Sequence, residues 1–91
     1  MSQNTQNPYF YTLNGDLSEV LEISGATSIS VFAESDACQI LNYDTGQFLN
    51  IPLGTTLELN PDSGNTLASI GVAPMSGFAY VVMLGGVAQL I

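Results

Sequence analysis

No Lys, Arg or His occurs in the 91 residues, against eight Asp and Glu, for a formal net charge of −8. This absence excludes several function classes. Most catalytic schemes need a base that titrates near neutrality, a fixed cation, or an imidazole to hold a metal. Binding a nucleic-acid backbone relies on cations that displace counterions, and adhesion to an anionic membrane surface relies on the same charges. Nucleic acid and membrane are therefore not expected partners. No side-chain salt bridge can form within the chain.

Other scarcities narrow the field further. The chain has one cysteine and no tryptophan, and only 9% of its residues are charged, against about 25% in an ordinary soluble domain. A single cysteine allows no internal disulfide. Cys38 lies in an apolar–polar alternation and reads as a small buried hydrophobe, since no cation is available to lower its pKa. With no His and one Cys, nitrogen–sulfur metal sites are excluded. The most apolar stretch, residues 70–91, is interrupted by Gly71, Pro74, Gly77, Gly85 and Gly86 and has no flanking Lys or Arg. It reads as buried strand and terminal segment rather than as a membrane span.

What the chain does contain is apolar content, 46% of its residues. A disordered chain would be poor in such residues, so this one is expected to fold as a single domain. A domain of this size has a marginal core of its own. With so few charges, part of its apolar surface is expected to be covered by copies of itself or by another protein.

Short runs rich in β-branched and aromatic residues alternate with turn residues along the chain. Residues 1–8 read as a polar arm rather than a signal sequence, having neither a basic nor an apolar stretch. Strands are expected over 9–13, 17–23, 28–33, 38–42, 47–51, 55–59, 67–72 and 78–84. Asn14-Gly15 predicts a hairpin between the first two. A rival reading of 16–23 is a short helix opened by Asp16 and Glu19 in the manner of a capping box. Ile29, Val31 and Ala33 share the inward face of their strand. Gly46 suits a left-handed turn position, and 51–54 and 74–77 read as turns. Residues 78–84 are apolar on both faces, so a strand there needs cover on both sides. Residues 87–91 form a short apolar tail. About eight short strands with no convincing helix predict an all-β fold, an antiparallel β-sandwich of jelly-roll-like or immunoglobulin-like form, spanning 9–91.

Candidate chemistry is sparse. Two carboxylates can hydrolyse glycosides, but the eight acids (Asp16, Glu19, Glu22, Glu34, Asp36, Asp44, Glu58 and Asp62) fall mostly in turns or on polar faces. No catalytic residue is assigned and no enzyme is expected. The loop 60–65 has the oxygen-rich composition of a calcium loop but lacks its spacing, and reads as a turn in which Asp and Asn bond nearby backbone. No phosphate-binding loop is present. No metal site or cofactor is expected. Tyr9, Phe10, Tyr11 and Tyr43 suit either sugar stacking or packing at a core or interface.

From residue 28 onward, the order of features resembles a known family. An alternating strand over 28–32 is followed by a hairpin, then by Ile51-Pro52-Leu53-Gly54-Thr55-Thr56-Leu57-Glu58-Leu59 and an Asp/Gly/Asn loop. Asn65-Thr66-Leu67-Ala68-Ser69-Ile70-Gly71-Val72 and Ser76-Gly77-Phe78-Ala79-Tyr80-Val81-Val82 close the match. These features resemble the small β-sandwich structural proteins of tailed bacteriophages, notably capsid decoration or cement proteins and head-fibre bases. The resemblance implies a non-enzymatic virion protein, made in the host cytoplasm, that sits as a homotrimer on the outer capsid surface and stabilises the shell. Its partners would be its own copies and the major capsid protein or another virion protein. Under it, Phe78, Tyr80, Val82, Leu84, Val87, Leu90 and Ile91 would form the oligomer interface, and Tyr9, Phe10 and Tyr11 the capsid contact. The alternatives are another virion role, in a fibre, neck or tail, and a β-sandwich module that binds glycan or a host surface.

Overall fold

A computed structural model describes residues 7–91. Nine strands account for most of them: β1 (Pro8–Asn14), β2 (Leu21–Ser24), β3 (Ser28–Ala33), β4 (Cys38–Asn42), β5 (Phe48–Ile51), β6 (Thr56–Leu59), β7 (Ile70–Pro74), β8 (Phe78–Leu84) and β9 (Val87–Leu90). The polar arm of the sequence reading lies mostly outside the described residues, and Pro8 opens β1.

Two antiparallel sheets result, one ordered β1-β8-β3-β6 and the other β5-β4-β7-β2-β9. The first eight strands pair in nested fashion. β4 pairs with β5, β3 with β6, β2 with β7 and β1 with β8. This is one long antiparallel hairpin rolled up so that its paired strands fall alternately in the two sheets. β3 then meets β8, and β4 meets β7, along the roll. The result is a jelly-roll sandwich, with β9 added beside β2.

Alternation places the core. Ile29, Val31 and Ala33 of β3 point between the sheets, as do Ala79, Val81 and Met83 of β8, Leu21 and Ile23 of β2, and Cys38 and Ile40 of β4. Among the described residues, no polar or charged side chain is buried. A low-charge sequence can build such a core because each strand needs only every second position to be apolar. Burial raises the Cys38 thiol to about 11, countered in part by a hydrogen bond from the Ala73 backbone.

Several local expectations give way to the demands of the roll. Asn14-Gly15 does not close a hairpin, because β1 and β2 lie in different sheets. It starts a crossing instead. The Asn14 side chain accepts from the Asp16 N–H at 3.0 Å and opens a single 3-10 turn, Gly15–Leu17, which ends at Ser18 with φ 55°. That crossing consumes the first half of the strand expected over 17–23, which begins only at Leu21. Gly15 is required by space: a Cβ there would stand 2.7 Å from the Ser76 Cα and 2.8 Å from the Pro74 carbonyl.

The strand expected over 67–72 starts instead at Ile70 and runs through Pro74, taking in a residue assigned to the following turn. Leu67 is unavailable to it. Its N–H donates to the Ala26 carbonyl at 2.8 Å, and its carbonyl accepts from Gly25 at 3.3 Å. The expected tail 87–91 is a ninth strand. It pairs with β2, and the Ile91 N–H donates to the Val20 carbonyl at 2.8 Å.

Candidate functional site: the outer face of the four-stranded sheet

Strand register sets out the solvent face of the β1-β8-β3-β6 sheet row by row. Phe10, Val82, Ser30 and Glu58 form one row, and Thr12, Tyr80, Phe32 and Thr56 the next. Pro8, Leu84 and Ser28 flank them on one side, with Asn14 and Phe78 on the other. The Ser28 hydroxyl donates to the Asn60 side-chain oxygen at 2.9 Å. The Phe32 and Tyr80 rings stack with centroids 6.3 Å apart and an interplanar angle of 11°. Phe10 is 73% exposed at the sheet edge, while Phe78, Tyr80 and Val82 are each exposed by about two-fifths. The centre of this face is aromatic and aliphatic, and Glu58 on the far strand is the one charged residue in these rows. Depletion of charge and enrichment in Tyr and Phe is the composition of a protein–protein contact centre.

The residues singled out from sequence are dispersed by the fold. Phe78, Tyr80, Val82 and Leu84 share this outer face, and Phe10 joins them although it was assigned to a different contact. Tyr11 turns inward and packs against the core. Tyr9 is also on the inward side, opposite Met83, yet 51% exposed. Val87, Leu90 and Ile91 lie in or just beyond β9, on the other sheet. The expected interface is therefore two separate surfaces.

Phe32 was missed. The signal was available, because the alternation that sends Ile29, Val31 and Ala33 inward must send Ser28, Ser30 and Phe32 outward. An open apolar groove of about 650 Å³ was also missed. Ile40, Leu49, Leu59 and Ile70 line it where the edge strands β5 and β6 approach, with Asn42 and Gln47 at its rim. It depends on a gap between sheets, which no local pattern encodes.

A third feature lies on the outer face of the five-stranded sheet. Tyr43 leaves the end of β4 and crosses over Gly71, where a Cβ would stand 2.5 Å from its hydroxyl oxygen and 3.0 Å from its Cζ. Burial, followed by hydrogen bonding to Glu22 and the charge of that carboxylate, raises the phenol pKa. The adjoining cleft of about 240 Å³ is bordered by Ser24, Ser69 and Gln89.

Three of the other acids accept hydrogen bonds from backbone N–H groups. Asp16 accepts from the Gly77 N–H at 3.2 Å, Glu19 from the Asn14 N–H at 2.7 Å, and Asp36 from the Ala37 N–H and the Ser76 hydroxyl, each at 2.7 Å. The Ser76 bond and then the Ala37 bond hold the Asp36 carboxyl below its usual range. Glu34 accepts from the Ser35 hydroxyl. Among the described residues, no three Asp, Glu or Cys side chains gather where they could hold a metal, and the loop 60–65 is closed by a turn bond from the Asn65 N–H to the Asp62 carbonyl at 2.9 Å. No helix among the described residues is long and apolar enough to cross a membrane.

Comparison with known proteins finds no matching family model, curated protein or solved structure.

Proposed function

We propose that this chain is a non-enzymatic virion structural protein, a bacteriophage capsid decoration or cement subunit that self-associates, binds the outer surface of the shell and stabilises it. The observation that carries this reading is the outer face of the four-stranded sheet. A strip built from Phe10, Val82, Tyr80, Phe32 and Phe78 is left to solvent in a domain that has no cation with which to attract an anionic ligand. The carboxylates that bond backbone at the loops are committed to structure, so contact is the chemistry left to this face. A jelly roll serves many functions, so the reading rests on the outer face rather than on the fold.

The test uses purified shells of the virus that encodes the chain, stripped of it. Adding the chain back should raise their thermal disruption temperature, because a ligand of the assembled state stabilises that state by mass action. Hundreds of copies per particle fit a decoration protein. A handful would place it in a fibre, neck or tail, and no binding would overturn the reading.

A second reading, a glycan-binding module, has one observation behind it: the Tyr43 ring laid across the sheet beside Glu22, Ser69 and Gln89. Titration with neutral oligosaccharides, followed by tyrosine fluorescence, tests it.

A further inference from the structure

The edge of β1 is more specific than its composition suggests. In an antiparallel ladder, alternate residues direct both their N–H and C=O to one neighbour, and the residues between direct theirs to the other side. The Gly15 N–H donates to the Gly77 carbonyl at 2.7 Å, in the same register as the β1–β8 pairs. Gly15, Leu13, Tyr11 and Tyr9 therefore bond toward β8, while Asn14, Thr12, Phe10 and Pro8 direct their backbone groups to the open edge. Two of these four are closed to a new strand. Glu19 accepts the Asn14 N–H at 2.7 Å, and its own N–H donates to the Asn14 carbonyl at 3.2 Å. Pro8 has no N–H. The open window is Phe10 and Thr12, and among the described residues nothing pairs with their outward groups.

We infer that this window pairs with the same window of a second copy, antiparallel, about a twofold axis at Tyr11. The Phe10 N–H then donates to the Thr12 carbonyl of the second copy and the Thr12 N–H to its Phe10 carbonyl, each bond made twice by symmetry. Every open group in both windows is used. The next pair outward would set Pro8, without a donor, against Asn14, whose groups Glu19 already holds. The register is therefore fixed by which groups are free. Edge strands are usually guarded by charge, Lys especially. β1 carries no charged residue, so two acidic chains can meet here without placing like charges in the strand pair.

Two half-exposed side chains support the same arrangement. Tyr9 faces inward beside Met83, and Leu90 faces inward beside Leu21. Both neighbours are fully buried, yet Tyr9 and Leu90 are 51% and 50% exposed. Each overhangs the sandwich, at opposite ends of the same side. Tyr9 lies at the start of β1. Leu90 lies at the end where β1 finishes, because the 15–20 crossing joins Asn14 to Leu21. Antiparallel pairing brings Tyr9 of one copy to the Leu13 end of the other, where that copy's Leu90 is bare. The product is a continuous sheet ordered β6-β3-β8-β1 and then the same strands reversed, with Phe10 extending the aromatic strip across the joint. This contact is twofold, unlike the threefold one that the phage resemblance implies. It deepens the self-association in the proposed function and rests on that reading only there.

Sedimentation equilibrium of the full chain and two variants tests the inference. The wild type should sediment at twice its 9.6 kDa mass. Thr12→Pro removes an outward donor and leaves the β8 ladder whole, which an edge strand tolerates; it should stay folded by circular dichroism and sediment as a monomer. Tyr11→Cys places two thiols in a non-hydrogen-bonded pair with Cα atoms about 4.5 Å apart, within disulfide range, so mild oxidation should give a covalent dimer. A monomeric wild type, or a dimer that Thr12→Pro leaves intact, overturns the pairing. A monomer that still coats stripped shells sinks the pairing alone, whereas a Thr12→Pro-sensitive dimer that ignores shells sinks the capsid reading alone.

Discussion

Glu19 holds both backbone polar groups of Asn14: its carboxylate accepts the Asn14 N–H at 2.7 Å, and its own N–H donates to the Asn14 carbonyl at 3.2 Å. One residue thereby ends the edge of β1 and anchors the crossing to the second sheet. The arrangement works like a capping box, with Asn14 in place of Asp16 as the capping residue.

Glu19→Ala should therefore destabilise the fold by about 1 kcal/mol, the usual cost of losing such a bond to a partly buried N–H. Glu19→Gln keeps an oxygen acceptor and should lie closer to the wild type. Urea unfolding at neutral pH, read at the midpoint, separates the two. Equal losses for both variants would show that charge rather than the acceptor matters.

The hairpin error at Asn14-Gly15 shows where local sequence stops deciding. The dipeptide is competent for a tight turn, but β1 already has a partner in β8, which arrives much later in the chain. Alternation placed Ile29, Val31 and Ala33 of β3 and Cys38 of β4 inward from sequence, because period two is a local property. Residues 78–84, apolar at every position, gave no such signal, and their buried face, Ala79, Val81 and Met83, emerges only from the fold. Which strand lies beside which depends on rolling the whole hairpin, and no run of ten residues reports it. For the same reason Phe10 and Tyr80, assigned to separate contacts, prove to be residues of one face, while Leu84 and Val87 fall on different sheets despite the two glycines alone between them. The crossing at 15–20 and the turn partners of Leu67 are likewise long-range facts.

Tyr43 and Gly71 form a lock whose removal is directly measurable. A methyl group at 71 would meet the phenol oxygen at 2.5 Å, so Gly71→Ala must lift the ring off Glu22. Because the phenol is the free end of an exposed side chain that can swing outward, the expected cost is about 1 kcal/mol or less, below the usual range for overpacking a core. Ultraviolet titration of the tyrosines should show one group with a raised pKa in the wild type, absent in Tyr43→Phe and returned toward the ordinary value in Gly71→Ala. Because the folded-state pKa is the higher one, this contribution to stability is complete below the unfolded-state value and is lost as pH rises through the folded-state value. Stability should thus fall more steeply in alkali for the wild type than for Tyr43→Phe.

Asp36 gives the opposite sign at the other end of the scale. Its hydrogen bonds from Ser76 and Ala37 hold its carboxyl below the usual aspartate range. Its contribution to stability is present above the unfolded-state pKa and disappears as pH falls through the depressed folded-state one. Asp36→Asn should lower the urea midpoint at pH 7 and narrow its gap to the wild type in strong acid. A gap independent of pH would mean that the ionised carboxylate does not anchor the turn at Ser76.

The two faces of β8 provide the sharpest separation of fold from function. Val81 is 1% exposed and Val82 is 38% exposed, although they are adjacent and carry the same side chain. Val81→Asp places a carboxylate in an apolar core with no Lys, Arg or His in the chain to meet it. The cost should be about 4 kcal/mol or more, enough to unfold a marginal domain of this size. Val82→Asp places the same charge on the solvent face between Phe10 and Ser30, where the native fold should persist with an unfolding midpoint near that of the wild type. If this face is the contact surface, Val82→Asp should nonetheless lose binding to stripped shells, because the charge must be desolvated in an apolar contact. Circular dichroism and a shell-binding assay on the same two preparations check both halves. A folded Val82→Asp chain that binds shells with wild-type affinity would remove the outer face of the four-stranded sheet from the proposal.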